Sequence, residues 1–205
     1  QASVCYFVPP PGWSCAGPKN LSPHVHIGFI GSGSAEFKPS INLATEKVDI
    51  SLKEYVQAVK NIHLSEANTQ WRDLGKFKLA AGDGRLTEIS SRSPVGEIKM
   101  LQALFVQGKT AYVLTGAVLK KDYAAHQKEL LQALQSLTLV SDLYAALPQN
   151  QRFQEFFDSL ASRPPKEQLN NWKLAQWTKL QTLVQEESAQ MGSHWQFLAL
   201  KEGHE

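Results

Sequence analysis

The chain has 205 residues, of which 42% are hydrophobic and 20% are charged, so it can bury a core in one domain with an appendage. Its 21 basic and 19 acidic side chains leave a net charge of +2, which is too small for a nucleic-acid-binding footprint or a polybasic membrane surface. No apolar run approaches the roughly 20 residues that cross a bilayer.

The two cysteines, Cys5 and Cys15, exclude a disulfide scaffold and a four-cysteine zinc site. Two interpretations stay open for them: a disulfide between them, or two half-buried thiols that behave as small hydrophobic side chains.

Strand-like segments begin the chain. Residues 4–8 predict a short strand, which the proline-rich turn signal at residues 9–12 ends. Residues 25–30 predict a second strand and residues 37–44 a third. Pro39 lies within the third strand and indicates an edge position or a bulge, because proline cannot donate to the ladder.

A capping box predicts the first helix. Ser51 is followed three residues later by Glu54, so each side chain can satisfy the other residue's backbone amide. The helix should begin at Ser51 and pack one apolar stripe against a sheet. The stripe consists of Leu52, Tyr55, Val56, Val59 and Ile62.

Two hairpins follow. Residues 71–79 and 85–91 predict a pair of strands joined by a turn at residues 82–84. Residues 97–106 and 110–119 predict a second antiparallel pair, because the loop at 107–109 is short. Apolar residues point to both faces of the second pair, so we expect these strands to be central and covered by helices on both sides.

A second covering helix is expected from Asp122, a candidate N-cap, through Leu137. Beyond Ser141 the chain becomes glutamine-rich and predicts helices at residues 143–161, with a break at Pro148, and at residues 167–191. We therefore predict an α+β fold, in which residues 1–141 form an α/β/α sandwich with a mainly antiparallel central sheet. Residues 142–205 form a C-terminal helical extension.

Four segments carry a family resemblance: YFVPPPGW at residues 6–13, FKPSINLATEKVDISLKEYV at 37–56, AYVLTGAVL at 111–119 and LLQALQSLTL at 130–139. In this order they resemble the PsbP/Mog superfamily over about residues 4–140. That superfamily includes photosystem extrinsic proteins, a Ran-binding protein and bacterial Eag-type chaperones. The resemblance implies an antiparallel sheet between helices and an accessory or binding role rather than an enzymatic one.

Two histidines form a candidate metal site. On a strand, His24 and His26 would project from the same face and could share a divalent ion, provided that folding brings a third ligand to them. The alternative is that both are ordinary surface or edge residues.

Tryptophans concentrate in the C-terminal extension. Trp172, Trp177, Leu180 and Val184 belong to an apolar stripe on the last predicted helix. This stripe either packs onto the sandwich or presents a partner-binding surface.

The chain lacks a recognisable catalytic motif, phosphate loop or cofactor fingerprint. We therefore expect a non-enzymatic protein-interaction or chaperone-like accessory module with an unidentified protein partner, without a cofactor and without nucleic acid. The alternatives are a small-ligand or divalent-metal-binding protein using His24 and His26, and an enzyme of unrecognised type. Gln1 indicates either a trimmed sequence or a chain from which a signal peptide has been removed. As a mature terminus it favours, together with the cysteine pair, an exported or periplasmic protein over a cytoplasmic one.

Overall fold

The computed structural model describes residues 3–17, 21, 24–33, 36–147 and 151–204. The chain divides into two compact units. The sandwich unit comprises Pro9–Leu137, and the helical unit comprises Gln1–Val8 together with Thr138–Glu205. The predicted mixed α+β fold with C-terminal helices is confirmed, while the domains 1–141 and 142–205 stay a prediction.

In chain order the strands are β1 Val4–Tyr6, β2 Ser14–Cys15, β3 Val25–Ile30, β4 Ser40–Lys47, β5 Thr69–Leu79, β6 Gly82–Ser93, β7 Gly96–Gln107, β8 Thr110–Leu119 and β9 Thr138–Val140. The helices are α1 Leu52–Leu64, α2 Tyr123–Gln135, α3 Gln151–Ser159, α4 Leu169–Glu187 and α5 Gly192–His204.

The sandwich unit is built on one antiparallel sheet, whose strand order within the described residues is β2-β3-β4-β8-β7-β6-β5. Strands β8 and β7 lie in its middle, as their apolar faces predicted. The core against α1 contains Leu104 and Ala111, whereas Gly116, which points to the other face, lies against Leu130 of α2. The two helices therefore cover opposite faces, which we call the α1 face and the α2 face.

The capping box at the start of α1 is confirmed. The Ser51 amide donates to Glu54 Oε2 at 2.8 Å, and the Glu54 amide donates to Ser51 Oγ at 3.2 Å. Tyr55 and Val56 are buried under the helix, as the stripe predicted. Ile62 is 59% exposed, so the prediction that it joins the stripe was wrong, because it lies beyond the part of α1 that packs on the sheet.

Helix α2 starts differently from the prediction. A 3₁₀ turn at Lys120–Asp122 leads into it, and the Asp122 side chain makes no capping hydrogen bond because its backbone is already helical. Leu130 and Leu134 are buried against the sheet. A Cβ atom at Gly116 would lie 2.9 Å from Leu130 Cδ2, so the absence of a side chain there permits the close approach of helix and sheet.

The hairpin between β5 and β6 turns earlier than expected. Leu79 pairs with Gly82, which places the two-residue turn at Ala80 and Ala81 rather than at residues 82–84. Backbone amides of both alanines donate to carbonyls at and just beyond the end of α2, namely those of Gln135 and Leu137, at 2.9 and 2.8 Å. These tertiary bonds position a turn that local glycine chemistry did not predict.

Pro39 is not at an edge. It lies immediately before the first residue of β4, which is flanked by β3 and β8. Its carbonyl accepts a hydrogen bond from the Gly31 amide at 2.8 Å. Proline is tolerated there because the ladder begins only with Ser40.

The helical unit has its own core. Strand β1 pairs antiparallel with β9, and Trp195 of α5 is fully buried, with its Nε1 donating to the Leu143 carbonyl at 3.0 Å. The Phe7 amide donates to Nδ1 of the buried His194 at 3.2 Å. The residue that directly follows β1 is thus held by a residue of α5.

Two predictions about the C-terminal helices need correction. The helix predicted at 143–161 is a 3₁₀ turn at Tyr144–Ala146 followed by α3, and the predicted break at Pro148 lies outside the described residues. The single helix predicted at 167–191 is α4 flanked by 3₁₀ turns, and the sequence did not predict α5. Within the described ranges, none of the helices is long and apolar enough to span a membrane.

Candidate functional site

A row of polar side chains crosses the middle of the α1 face. In the register of the sheet, Asn42 of β4 pairs with Thr115 of β8, Thr115 with Gln102 of β7, and Gln102 with Thr87 of β6. We call these four residues the polar row. Because neighbouring strands lie about 4.8 Å apart, the row extends over about 14 Å, perpendicular to the strands.

The hydrogen bonding of the row is incomplete. Gln102 Nε2 donates to Thr115 Oγ1 at 3.1 Å. Gln102 Oε1 and Thr87 Oγ1 are buried without a hydrogen-bond partner among the described residues. A buried polar atom without a partner costs about 1–3 kcal/mol, so this arrangement raises the free energy of the chain as it stands.

Gly28 of β3 continues the row beyond Asn42. A Cβ atom at this position would lie only 2.3 Å from Asn42 Oδ1, so the Asn42 side chain extends over the Gly28 backbone. Any larger residue at position 28 would displace the Asn42 amide from the row.

An ion pair lies at the opposite end. Asp73 of β5 pairs in register with Thr87 and accepts hydrogen bonds from Arg85 Nη2 at 2.5 Å and from the Gly75 amide at 2.8 Å. Burial raises the pKa of the Asp73 carboxyl, but the hydrogen bonds from Arg85 and Gly75 outweigh it, so the pKa is lowered overall. The row therefore ends at an ionised carboxylate that its neighbours already satisfy.

Apolar side chains lie beside the row, on the side away from the core under α1. We call them the apolar flank, and they are Ile30, Ile98, Met100 and Ala117. Each is only partly buried, and none belongs to the cluster that packs under α1. Their neighbours on the α2 face, such as Leu101 and Val118, are 1% exposed. On the α1 face, Ile89 and Leu119 pair with Met100 and Ile98 and are buried as well, so the partial exposure is confined to the flank itself.

The sequence did not predict this site. On the α1 face, Gln102 and Thr115 interrupt the apolar positions of β7 and β8 whose pattern predicted a wholly apolar face. The signal available was that β7 and β8 each have one polar residue among the apolar positions of this face. Their alignment depends on the register, which the sequence does not specify.

The predicted metal ligands lie elsewhere. His24 precedes β3, and the register of β3 shifts between Val25 and Ile27, which interrupts the alternation that a shared face requires. His26 Nε2 lies 2.5 Å from Thr45 Oγ1. No group of three or more candidate metal ligands occurs in the described part of the chain, so no third ligand is found there. The metal site stays a prediction.

The two cysteines are free thiols. Cys15 is exposed in β2, whereas Cys5 is partly buried in β1, and burial raises the pKa of its thiol to about 12. The reactive thiolate of Cys5 is therefore disfavoured at neutral pH.

The predicted partner-binding stripe lies in the helical unit. Leu180 and Val184 are 2% exposed and belong to its core, so they pack within this unit. Trp177 is partly buried against that core and contacts the His204 ring edge-on, and Trp172 is also partly buried. Partner binding by these residues stays a prediction, and the interior position of two of them directs attention to other surfaces.

No protein-family model matches the chain, and no curated protein matches it. Among solved structures, LpqN of Mycobacterium tuberculosis, described as involved in cell envelope biogenesis, is 12% identical with a TM-score of 0.52. The match covers 68% of this chain and 84% of LpqN.

Two further structures are similar at lower TM-scores. The cyanobacterial PsbP of Synechocystis sp. PCC 6803 is 12% identical with a TM-score of 0.45, covering 67% of this chain and 92% of that one. PA94 of Pseudomonas aeruginosa, a protein of unknown function and putative regulator, is 13% identical with a TM-score of 0.39. The match covers 67% of this chain and 83% of PA94.

At such identities the likeness concerns the fold and not the function. The Mog-like, Ran-binding and Eag-type resemblances stay predictions. The match to LpqN shows a shared fold over 68% of this chain, while the resemblance to the PsbP/Mog superfamily stays a prediction.

Proposed function

We propose that the chain is a non-enzymatic protein-interaction module that binds a polypeptide segment on the α1 face. One observation carries this proposal: Gln102 Oε1 is buried and finds no partner among the described residues, in a polar row that lies beside a partly exposed apolar flank. Because this oxygen is buried, a partner reaches it only when the Gln102 side chain turns outward. An N–H donated to it there would recover the free energy that the unpaired acceptor costs.

The composition of the face fits a polypeptide. The carboxamides of Gln102 and Asn42 can each donate and accept hydrogen bonds, as a peptide group does. The flank offers Met100 and Ile98 to apolar side chains of the same segment, and the unbranched Met side chain adapts to different shapes. Interfaces commonly combine an apolar centre with hydrogen bonds of this kind.

Nothing in the row has the form of a catalytic centre. Its members are amides and hydroxyls, and the carboxylate next to Thr87 is engaged by Arg85. Acid–base catalysis needs a titratable group within hydrogen-bond reach of a reacting atom, and nucleophilic catalysis needs a base beside the nucleophile. Such an arrangement favours recognition over chemistry.

Site-specific photo-cross-linking tests the proposal. A benzophenone amino acid replaces Met100 on the flank in one variant and the exposed Lys53 of α1 in the control. We expect a cross-linked protein with the first variant, and we expect it to be lost when Gln102→Leu and Thr115→Val are added. Equal cross-linking from both positions, or cross-linking that ignores the two added substitutions, would contradict the proposal.

A further inference from the structure

A cleft in the helical unit combines aromatic rings with carboxylates. Its volume is about 390 Å³, and it lies between the 3₁₀ turn at Tyr144–Ala146 and α3. We call it the aromatic–acidic cleft, and its principal lining residues are Asp142, Tyr144, Phe153, Phe157 and Asp158.

The rings meet at steep angles. The Tyr144 and Phe157 ring centroids lie 4.9 Å apart with an interplanar angle of 72°. The Tyr144 and Phe153 centroids lie 5.1 Å apart at 47°. Three rings in different planes therefore line the cleft, and those of Tyr144 and Phe157 supply the aromatic surface that an occupant can reach, because Phe153 is buried.

Two of the three walls are held rigidly. The Tyr144 hydroxyl donates to the Ala199 carbonyl at 2.8 Å, and its ring lies edge-on to Trp195 at 6.0 Å. Phe153 is 1% exposed and also contacts Trp195 edge-on, at 6.4 Å. Phe157 is 36% exposed and forms the outer wall. An occupant would therefore meet largely preorganised walls, which reduces the entropy cost of binding.

The charge around the cleft is negative. Asp142 Oδ1 accepts a hydrogen bond from the Tyr144 amide at 2.9 Å, which directs this carboxylate to the mouth. No side-chain hydrogen bond or ion pair holds Asp158 among the described residues. Burial raises the pKa of the Tyr144 hydroxyl, and the nearby charges of Glu202 and Asp142 raise it further. The lining that the structure describes contains no lysine, arginine or histidine.

We infer that the aromatic–acidic cleft binds an alkylammonium group. Aromatic faces attract organic cations through the ring quadrupole, and the attraction is strongest for cations that shed water easily, such as methylated ammonium groups. The carboxylates of Asp142 and Asp158 at the mouth supply the compensating charge. An anion is disfavoured by the same carboxylates.

A metal ion fits the cleft less well. Hard divalent cations take six or more oxygen ligands, and zinc takes four close ligands from histidine, cysteine or carboxylate. The described residues hold no group of three such ligands, and the inner wall of the cleft is aromatic. The site lies outside the sandwich unit, so its test is independent of the proposed function of the α1 face.

The test titrates the intact chain with choline chloride by isothermal calorimetry. The control ligand is the neutral isostere of choline, in which a tert-butyl group replaces the trimethylammonium group. We expect choline to bind with a Kd on the order of 1 mM and the isostere to bind at least about fivefold more weakly, since only the cation gains the ring and carboxylate attraction.

Variants connect the binding to the cleft. Phe157→Leu should weaken choline binding about fivefold and Asp158→Asn about threefold, because they remove the outer wall and one carboxylate. Both residues are exposed, so the substitutions spare the core. The controls Phe197→Leu and Glu167→Gln alter exposed residues outside the cleft and should leave binding unchanged.

A second arm distinguishes the source of the ammonium group. Blocked trimethyl-lysine replaces choline, and its binding alongside choline would indicate a lysine side chain as ligand, whereas binding of choline alone would indicate a small quaternary ammonium compound. Absence of binding by both, equal binding of choline and its isostere, or binding that Phe157→Leu and Asp158→Asn leave unchanged would overturn the inference.

Discussion

Gln102 and Thr115 face each other across β7 and β8, and the Gln102 amide donates to the Thr115 hydroxyl at 3.1 Å. The carbonyl oxygen of the same Gln102 amide is buried with no partner in the described structure. One side chain thus holds a satisfied donor and an unsatisfied acceptor on the same face. Such an arrangement costs stability in the isolated chain, which is expected where a sequence serves binding rather than folding.

The first prediction concerns the hydroxyls at the two sides of Gln102. Thr87→Val removes a fully buried hydroxyl that has no partner in the described part of the chain, so we expect the free energy of unfolding to stay the same or to rise by about 1 kcal/mol. Thr115→Val removes the hydroxyl that accepts from the Gln102 amide, and it should lower the free energy of unfolding by about 1 kcal/mol. Urea denaturation measures both, and a large loss with Thr87→Val would show that its hydroxyl is satisfied.

The second prediction concerns the cap of α1. Ser51→Ala removes the side chain that accepts from the Glu54 amide, and should lower the free energy of unfolding of the sandwich unit by about 1 kcal/mol. Lys53→Ala, at an exposed position of the same helix, is the matched control and should change it by less than about 0.5 kcal/mol. Equal effects of the two substitutions would show that the capping box does not stabilise the fold.

The third prediction concerns pH and the helical unit. Burial lowers the pKa of His194 from 6.5 to about 4. Between pH 6.5 and about pH 4, this histidine is therefore protonated in the unfolded chain and neutral in the folded chain. The free energy of unfolding should therefore fall as the pH drops through this range, by about 3 kcal/mol in total, and level off below it. The neutral ring that accepts from the Phe7 amide is the form that folding stabilises.

Urea denaturation at a series of pH values measures this dependence. The change should be smaller in His194→Gln than in His24→Gln, since His24 is exposed. An imidazole titration by NMR that places His194 near its ordinary pKa would contradict the burial argument, even if the variant fails to fold.

The fourth prediction tests the metal hypothesis. If His24 and His26 hold a divalent ion, zinc or nickel should raise the melting temperature of the chain, because an ion that binds the folded state stabilises it. The rise should disappear in His24→Ala with His26→Ala and persist in His63→Ala, whose imidazole interacts with Glu66. A melting curve that the ions leave unchanged would remove the hypothesis.

Local sequence signals predicted much of the sandwich unit. The Ser51 and Glu54 pair marked the start of α1, and Gly108, with a φ of +60°, supplied the loop between β7 and β8. Signals that depend on distant contacts failed. The turn at Ala80 and Ala81 is held by carbonyls at and just beyond the end of α2. The predicted helix at 167–191 stopped immediately before Gly192, where α5 begins, so α5 was not predicted.

The polar row could not be predicted from the sequence, because it also depends on contacts between distant residues. Each member of the polar row is an unremarkable residue in its own strand, and only the pairing of Gln102 with Thr115 and Thr87 brings them together. In the predicted partner stripe, Leu180 and Val184 lie in the core of the helical unit, while partner binding by the stripe stays a prediction. A periodic apolar pattern shows that a face is buried, but not what buries it.

The central claim is that the polar row recognises a polypeptide. Its most direct test uses the partner that the cross-linking experiment identifies. Calorimetry compares the affinity of this partner for the intact chain with its affinity for the double variant Gln102→Leu with Thr115→Val. Replacing both members of a hydrogen-bonded pair by apolar side chains should leave stability nearly unchanged, whereas affinity should fall about tenfold or more. An unchanged affinity in a folded double variant would contradict the account.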